Sequence, residues 1–129
     1  MPFRFFPVLL LALTLSPTQA ADRISLKQTK KALTLMRGKT PILTYHVATV
    51  PPPKGVDRVF DRSGFIHPMH APAGGVVTGI HPDDHYHHLG LWHAWVKTEY
   101  NGQKGPDFWN LKARTGRVRH AGIKAVRAA

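Results

Sequence analysis

The chain has 129 residues, no cysteine and a formal net charge of +11 at pH 7. Without cysteine it can form neither a disulfide bond nor a thiolate site. Residues 22–62 carry nine Lys or Arg against three acidic residues, and residues 104–129 carry seven against one. The stretch between them, residues 63–103, carries one lysine against three acidic residues. A nucleic-acid-binding protein is expected to concentrate its basic residues on the recognising surface, so this distribution argues against a nucleic-acid partner.

Residues 1–20 have the pattern of a secretory signal peptide. They begin with a basic region at Arg4, continue with an apolar run over residues 5–15, and end with Thr18 and Ala20 at the small positions. The apolar run is too short to cross a bilayer, which takes ~20 residues. The sequence therefore predicts cleavage after Ala20. The mature chain, residues 21–129, would be exported to the periplasm or the extracellular space and would have no transmembrane segment.

The first part of the mature chain alternates apolar and polar residues with a period of two, which predicts strands at 24–29, 32–37 and 41–47. Three consecutive prolines end this run. Further candidate strands are 64–67, 76–80 and 89–100, followed by a turn at 101–105 and a short strand or bridge at 107–111; residues 117–129 fit either a strand or a helix. The pattern predicts an all-β protein, most simply a partial β-sandwich.

The stretch HPDDHYHHLGLWHAW, residues 81–95, contains five of the nine histidines of the chain. In an extended segment, His85 and His87 would share one face and His88 would lie on the other. Two imidazoles on one face can ligate a divalent metal together, so His85 and His87 are candidate metal ligands. The three histidines can instead act as metal-free acid and base groups, with Asp84 orienting one imidazole. A purely structural histidine cluster is the third interpretation.

A second polar stretch is DRSGFIHPMHAP, residues 61–72. The proline that follows His67 biases this histidine towards an extended conformation. The planar guanidinium of Arg62 can hold an oxyanion in its fork. The more common alternative for Arg62 is a surface ion pair with Asp57 or Asp61.

The tryptophans also allow two interpretations, because exposed indoles stack on sugar rings whereas buried ones fill a core. On one strand Trp92 and Trp95 would face opposite sides, so we expect one in the core and the other either there or on a pocket wall. The predicted substrate-contacting residues are Arg62, His67, His93, Trp92 and Trp109.

Several segments together resemble the PmoA-like family of bacterial exported proteins, which is often labelled methane oxygenase PmoA and is otherwise a domain of unknown function. They are PILTYH, RSGFIHP, DHYHHLGLWHAW, DFWNL and TGRVR, in this order along residues 41–119. The resemblance implies a β-sandwich and a frequent association with polysaccharide and sugar catabolism, but no established reaction. The oxygenase label is not expected to describe the chemistry, because the methane monooxygenase subunit of that name is a polytopic membrane protein.

Members of that family look longer than this chain, which ends soon after TGRVR. Residues 21–129 therefore resemble the N-terminal part of a PmoA-like domain, and we expect a truncated sandwich of marginal stability. The histidines and the resemblance together suggest an enzyme that acts on a carbohydrate or a sugar-derived small molecule. The alternatives are a non-catalytic carbohydrate-binding or structural β module, and an inactive truncated fragment.

Overall fold

The structure, a computed structural model, describes residues 23–127. The predicted signal peptide and its cleavage site lie outside these residues. The strands of the described part are β1 (Ile24–Gln28), β2 (Ala32–Arg37), β3 (Thr40–His46), β4 (Ile66–Met69), β5 (Glu99–Tyr100) and β6 (Gln103–Lys104). Strands β1 to β4 form one antiparallel sheet in chain order, and β5 and β6 form a hairpin. The predicted all-β class is confirmed, and this arrangement is compatible with a partial sandwich.

The four-stranded sheet follows from the alternation in the sequence. Its register brings Leu26, Leu35 and Leu43 opposite one another across three strands, so that the leucines form a row on one face. On the other face the hydroxyls of Thr34 and Thr44 form a hydrogen bond of 3.0 Å. The three strands predicted at 24–29, 32–37 and 41–47 are thus confirmed to within one residue at each end.

The best-buried side chains lie in loops beside the sheet rather than on its strands. Val59, Phe60 and Leu111 form a core cluster, and Val56 and Tyr86 pack against it. Two 3-10 turns, Arg58–Phe60 and Leu111–Ala113, bring these residues together. Phe65, Leu89 and Arg62 are the largest of the fully buried side chains among the described residues.

The strand predicted at residues 89–100 is wrong, because only Glu99–Tyr100 is extended and paired as a strand. Two left-handed residues interrupt the segment: Gly90 has a φ of 54° and Lys97 a φ of 49°. At Gly90 the backbone approaches the carbonyl oxygen of Ile66 so closely that a Cβ would collide with it. The alternating pattern of this segment therefore does not produce a continuous strand.

Three other sequence-based expectations also differ from the structure. Residues 76–80 form only isolated bridges, and residues 107–111 form a turn instead of a strand. The turn arises because the carboxylate of Asp107 accepts hydrogen bonds from the backbone N–H groups of Trp109 and Asn110. Residues 117–127 form neither a strand nor a helix.

The segment after the second 3-10 turn returns to the main sheet at His120. Its backbone N–H donates to the hydroxyl of Ser63, and its Nδ1 atom is hydrogen bonded to the hydroxyl of Tyr45 at 3.0 Å. The residue thereby joins the C-terminal segment to β3. Within residues 23–127 there is no helix of the length and apolarity that a membrane crossing requires.

Candidate functional site

The histidines lie on a folded loop, residues 81–88, which we call the histidine loop. A bridge between Ile80 and Leu89 closes its base, and the backbone N–H of His81 donates to the carbonyl of His88 at 2.8 Å. His81 is buried and has a left-handed backbone with a φ of 51°. Its Nδ1–H donates to the carbonyl of Tyr86 at 2.6 Å, which ties the middle of the loop to its start.

Three imidazoles of the histidine loop form one cluster. The ring centroids of His87 and His88 are 4.5 Å apart, those of His85 and His88 are 4.9 Å apart, and those of His85 and His87 are 5.6 Å apart. The expectation that His88 would lie on the opposite face is wrong, because residues 82–88 turn instead of running straight. The turning loop brings together all three histidines that the sequence singled out.

Asp84 contacts the cluster at its exposed edge. Its Oδ2 atom lies 3.0 Å from Nδ1 of His85, and both side chains are largely exposed. The hydrogen bond from His85 lowers the pKa of Asp84, so the carboxylate remains ionised near neutral pH. This is the geometry in which a carboxylate orients an imidazole, as predicted for Asp84, although exposure to water weakens the interaction.

His87 lies deeper than His85. Burial lowers the pKa of His87, and repulsion from His88 and His85 lowers it further. His87 is therefore a neutral imidazole at pH 7 and is able to accept a proton. The Nε2 atoms of His87 and His88 are both buried and have no hydrogen-bond partner among the described residues.

Trp92 and Trp109 pack against this cluster. Their ring centroids are 5.5 Å apart, and the Trp109 ring lies 5.2 Å from that of His87 and 5.3 Å from that of His88. Both indoles line an open cleft of about 500 Å³, which we call the larger cleft because the cleft next to it is smaller. Its other walls are residues 77–80, Pro82, His88 and Gly90. Trp109 also borders a neighbouring cleft of about 330 Å³, which His85 and His87 line from the other side.

Arg62 is buried behind Trp92. The side chain is only 2% exposed, and its guanidinium carbon lies 4.6 Å from the centre of the Trp92 ring. Its Nη2 donates to the carbonyl oxygen of His93 at 2.6 Å. Burial lowers the pKa of Arg62 to about 10, so the group remains charged at neutral pH.

The alternative of a surface ion pair for Arg62 is wrong. The side chain of Asp61 pairs with Arg58 at 2.7 Å, and that of Asp57 pairs with Arg114 at 3.0 Å. An antiparallel bridge between Val50 and Arg62 holds the arginine backbone inside the fold, which keeps its side chain away from the surface.

A family model described as a family of unknown function, DUF6807, matches residues 32–129. The chain belongs to the DUF6807 family. The match covers the four-stranded sheet apart from β1, the histidine loop and both cleft tryptophans. No curated protein and no solved structure matches the chain significantly. Nothing in these matches refers to a methane oxygenase, so the resemblance to the PmoA-like family stays a prediction.

Two predicted site histidines of this DUF6807 chain lie outside the imidazole cluster. His67 contacts the hydroxyl of Thr78 through Nδ1 at 2.9 Å, and Thr78 lines the larger cleft. Burial lowers the pKa of His67, and repulsion from His46 adds to this effect. The ring of His93 packs against Trp95 at 4.7 Å, and only its backbone carbonyl approaches Arg62.

Metal ligation by His85 and His87 stays a prediction. Within residues 23–127 there is no group of three or more His, Asp or Glu side chains arranged to hold a metal ion. The His85 and His87 rings meet at an interplanar angle of 66°, and the Nδ1 of His85 is hydrogen bonded to Asp84.

Two positioning residues of the DUF6807 site are not among the residues predicted from the sequence. Asp107 accepts the backbone N–H of Trp109 at 2.8 Å and also binds the side chain of Asn110, which fixes the turn that carries the indole. An Asp two residues before a tryptophan and three before an Asn is a usable sign of such a turn. His81 stabilises the histidine loop, but its burial and its left-handed backbone, which distinguish it from the other described histidines, are not evident from the sequence.

Proposed function

We propose that this DUF6807 protein binds a sugar ring in the larger cleft and that its histidines provide acid and base groups for conversion of that sugar. The observation that carries the proposal is the pair of indoles, Trp92 and Trp109, which lines the cleft beside the imidazole of His88. Indole faces pack against the apolar C–H face of a sugar ring, and an adjacent imidazole can exchange hydrogen bonds and protons with its hydroxyl groups.

The three packed imidazoles extend as one cluster from solvent to the cleft. His85 is half-exposed and paired with Asp84, whereas His88 lines the cleft, and the two rings are stacked 4.9 Å apart. His87 contacts both rings and is neutral at pH 7 because its pKa is lowered. A neutral imidazole next to the cleft suits proton abstraction, and His85 suits exchange with water.

A binding module without catalysis is the second candidate function. The observation in its favour is the burial of Nε2 in both His87 and His88, since a proton acceptor has to reach its substrate. In this alternative the indoles bind the sugar and the imidazoles only shape the loop. The two candidates make different predictions for one substitution.

The decisive experiment uses His87→Ala together with Trp109→Ala. Binding of a panel of neutral and acidic mono- and oligosaccharides is measured by calorimetry, and conversion of each is followed by NMR. An enzyme loses turnover in His87→Ala but retains binding, whereas in Trp109→Ala both binding and turnover are weakened. Binding without turnover in the wild-type protein would favour the module, and a wild-type protein that binds no sugar would refute both.

We further propose that the protein is exported, as the signal-peptide pattern of residues 1–20 suggests. Mass spectrometry of the protein from its native host should give a mature N-terminus at Ala21. A protein that retains Met1 would contradict export. Elemental analysis of untagged protein tests the proposed ligand pair His85 and His87, because a bound divalent metal would be present at near-stoichiometric amounts.

A further inference from the structure

The strongest unexplained feature of the molecule is the charge of Arg62. Its side chain is almost fully buried, and among the described residues only Nη2 has a hydrogen-bond partner, which is the uncharged carbonyl of His93. Nε and Nη1 are buried without a partner. A buried guanidinium ordinarily has a carboxylate beside it, because an uncompensated charge in a protein interior is costly.

No carboxylate of the described residues forms an ion pair with Arg62, and the two acidic residues nearest in sequence have other partners. Asp61 binds Arg58, and Asp57 binds Arg114. The positive charge of Arg62 is therefore not neutralised within residues 23–127, and its potential extends into the surroundings. Since the pKa of Arg62 remains about 10, this charge is present at every pH near neutrality.

The surroundings of Arg62 include the cleft. Trp92 separates the two, because one face of its ring is 4.6 Å from the guanidinium carbon and the residue also lines the cleft. An indole excludes water from the space between, so the charge acts through protein and not through solvent. The lining of the larger cleft contains no acidic side chain that would cancel this potential.

We infer that the ligand of the larger cleft is a sugar acid, that is, a sugar ring bearing a carboxylate, and that the buried charge of Arg62 selects it over the neutral sugar. This inference rests on the proposed function and names its substrate class. One unneutralised positive charge matches the single negative charge of a carboxylate.

The test compares D-glucuronate with D-glucose on the wild-type protein by calorimetry at low and high salt, with acetate as a control anion. The two sugars differ only at C6. We expect glucuronate to bind about tenfold more tightly than glucose, because its carboxylate is attracted to the guanidinium of Arg62 across the Trp92 ring. The difference should be smaller at high salt, because salt screens this attraction. Equal binding, or tighter binding of glucose, would overturn the inference and leave the proposed function intact. Binding of neither sugar would overturn the inference for this sugar acid, and the wider sugar panel then tests the proposed function separately.

Acetate binding as strong as that of glucuronate would also overturn the inference, since it would indicate a simple anion site. Arg62→Gln removes the charge, and Arg37→Gln, at an exposed arginine outside the cleft, is the matched control. We expect Arg62→Gln to abolish the preference for glucuronate over glucose, and Arg37→Gln to retain it. A folded Arg62→Gln protein with unchanged preference would contradict the role of Arg62. If that variant does not fold, the wild-type comparison alone decides.

Discussion

The indole rings of Trp92 and Trp109 lie 5.5 Å apart and are inclined by 33°, and both contact the imidazoles of His87 and His88. Neither tryptophan belongs to a strand. Two irregular segments therefore form the aromatic wall of the cleft, and a different neighbouring side chain holds each tryptophan in place. Arg62 packs against Trp92, and Asp107 holds the turn before Trp109.

Removal of the Trp109 indole should impair sugar binding. We expect Trp109→Ala to weaken the affinity for a cleft ligand about tenfold, because both the apolar area and the ring contact are lost. Trp95→Ala is the matched control, since Trp95 is 66% exposed and does not line the cleft. Calorimetry of both variants checks this prediction, and an equal loss in the two would contradict the assignment of the cleft.

Asp107 should affect binding without contacting the ligand. Asp107→Ala removes the acceptor for the N–H groups of Trp109 and Asn110, so the indole loses its fixed position. We expect several-fold weaker binding and a changed tryptophan fluorescence spectrum. Asp107→Asn retains an acceptor oxygen at the same place and should stay close to wild type. If Asp107→Ala binds like wild type, the turn is not what positions Trp109.

The stability of the fold should decrease in mild acid. The pKa values of His67 and His87 are lowered in the folded protein, whereas an unfolded histidine titrates near 6.5. The unfolded chain therefore binds more protons than the folded chain as the pH falls below ~6.5, and the free energy of unfolding decreases. Thermal unfolding at pH 7.5, 6.5 and 5.5 should give falling midpoints, with a weaker dependence in His87→Gln. A midpoint that rises towards acid would contradict the sign of these shifts.

Gly90 should be intolerant of any side chain. A Cβ at this position would overlap the carbonyl oxygen of Ile66, and a φ of 54° is strained for other residues. We expect Gly90→Ala to cost about 3 kcal/mol of unfolding free energy. Gly79→Ala on the same cleft wall is the control, because its Cβ would meet no atom within 4 Å. Denaturant titration of both proteins measures the difference, and a stable Gly90→Ala protein would disprove the close approach.

His81 should stabilise the histidine loop through its left-handed backbone and its bond to the Tyr86 carbonyl. We expect His81→Ala to cost about 1–2 kcal/mol, because the carbonyl loses its donor and alanine disfavours a φ of 51°. His81→Asn should cost less, since asparagine adopts this backbone more readily and has an amide donor. Chemical unfolding ranks the three proteins, and an alanine variant more stable than the asparagine variant would contradict this explanation.

The first three strands could be predicted from the sequence because alternation is a local signal and each strand pairs with its neighbour in the chain. The convergence of the histidines could be predicted only as a possibility. It depends on the folded loop between His81 and Leu89. An alternating pattern does not predict this loop, because it indicates an extended segment. Burial of Arg62 could not be predicted, because its acidic neighbours suggest a surface residue. Only the pairing of residue 62 with Val50 and the contact with Trp92 place it inside.

Tyr86 belongs to the core cluster and to the histidine loop at once. Its ring packs against Phe60 with centroids 6.0 Å apart, and its carbonyl accepts the hydrogen bond of His81. Substitutions that reshape the histidine loop are therefore also expected to disturb the core cluster. Val77 lines the same cleft with a side chain that is 57% exposed and makes no part of the core. A change at Val77 is therefore expected to alter the cleft wall at little cost in stability, whereas a change in the histidine loop is expected to alter the loop and the core together.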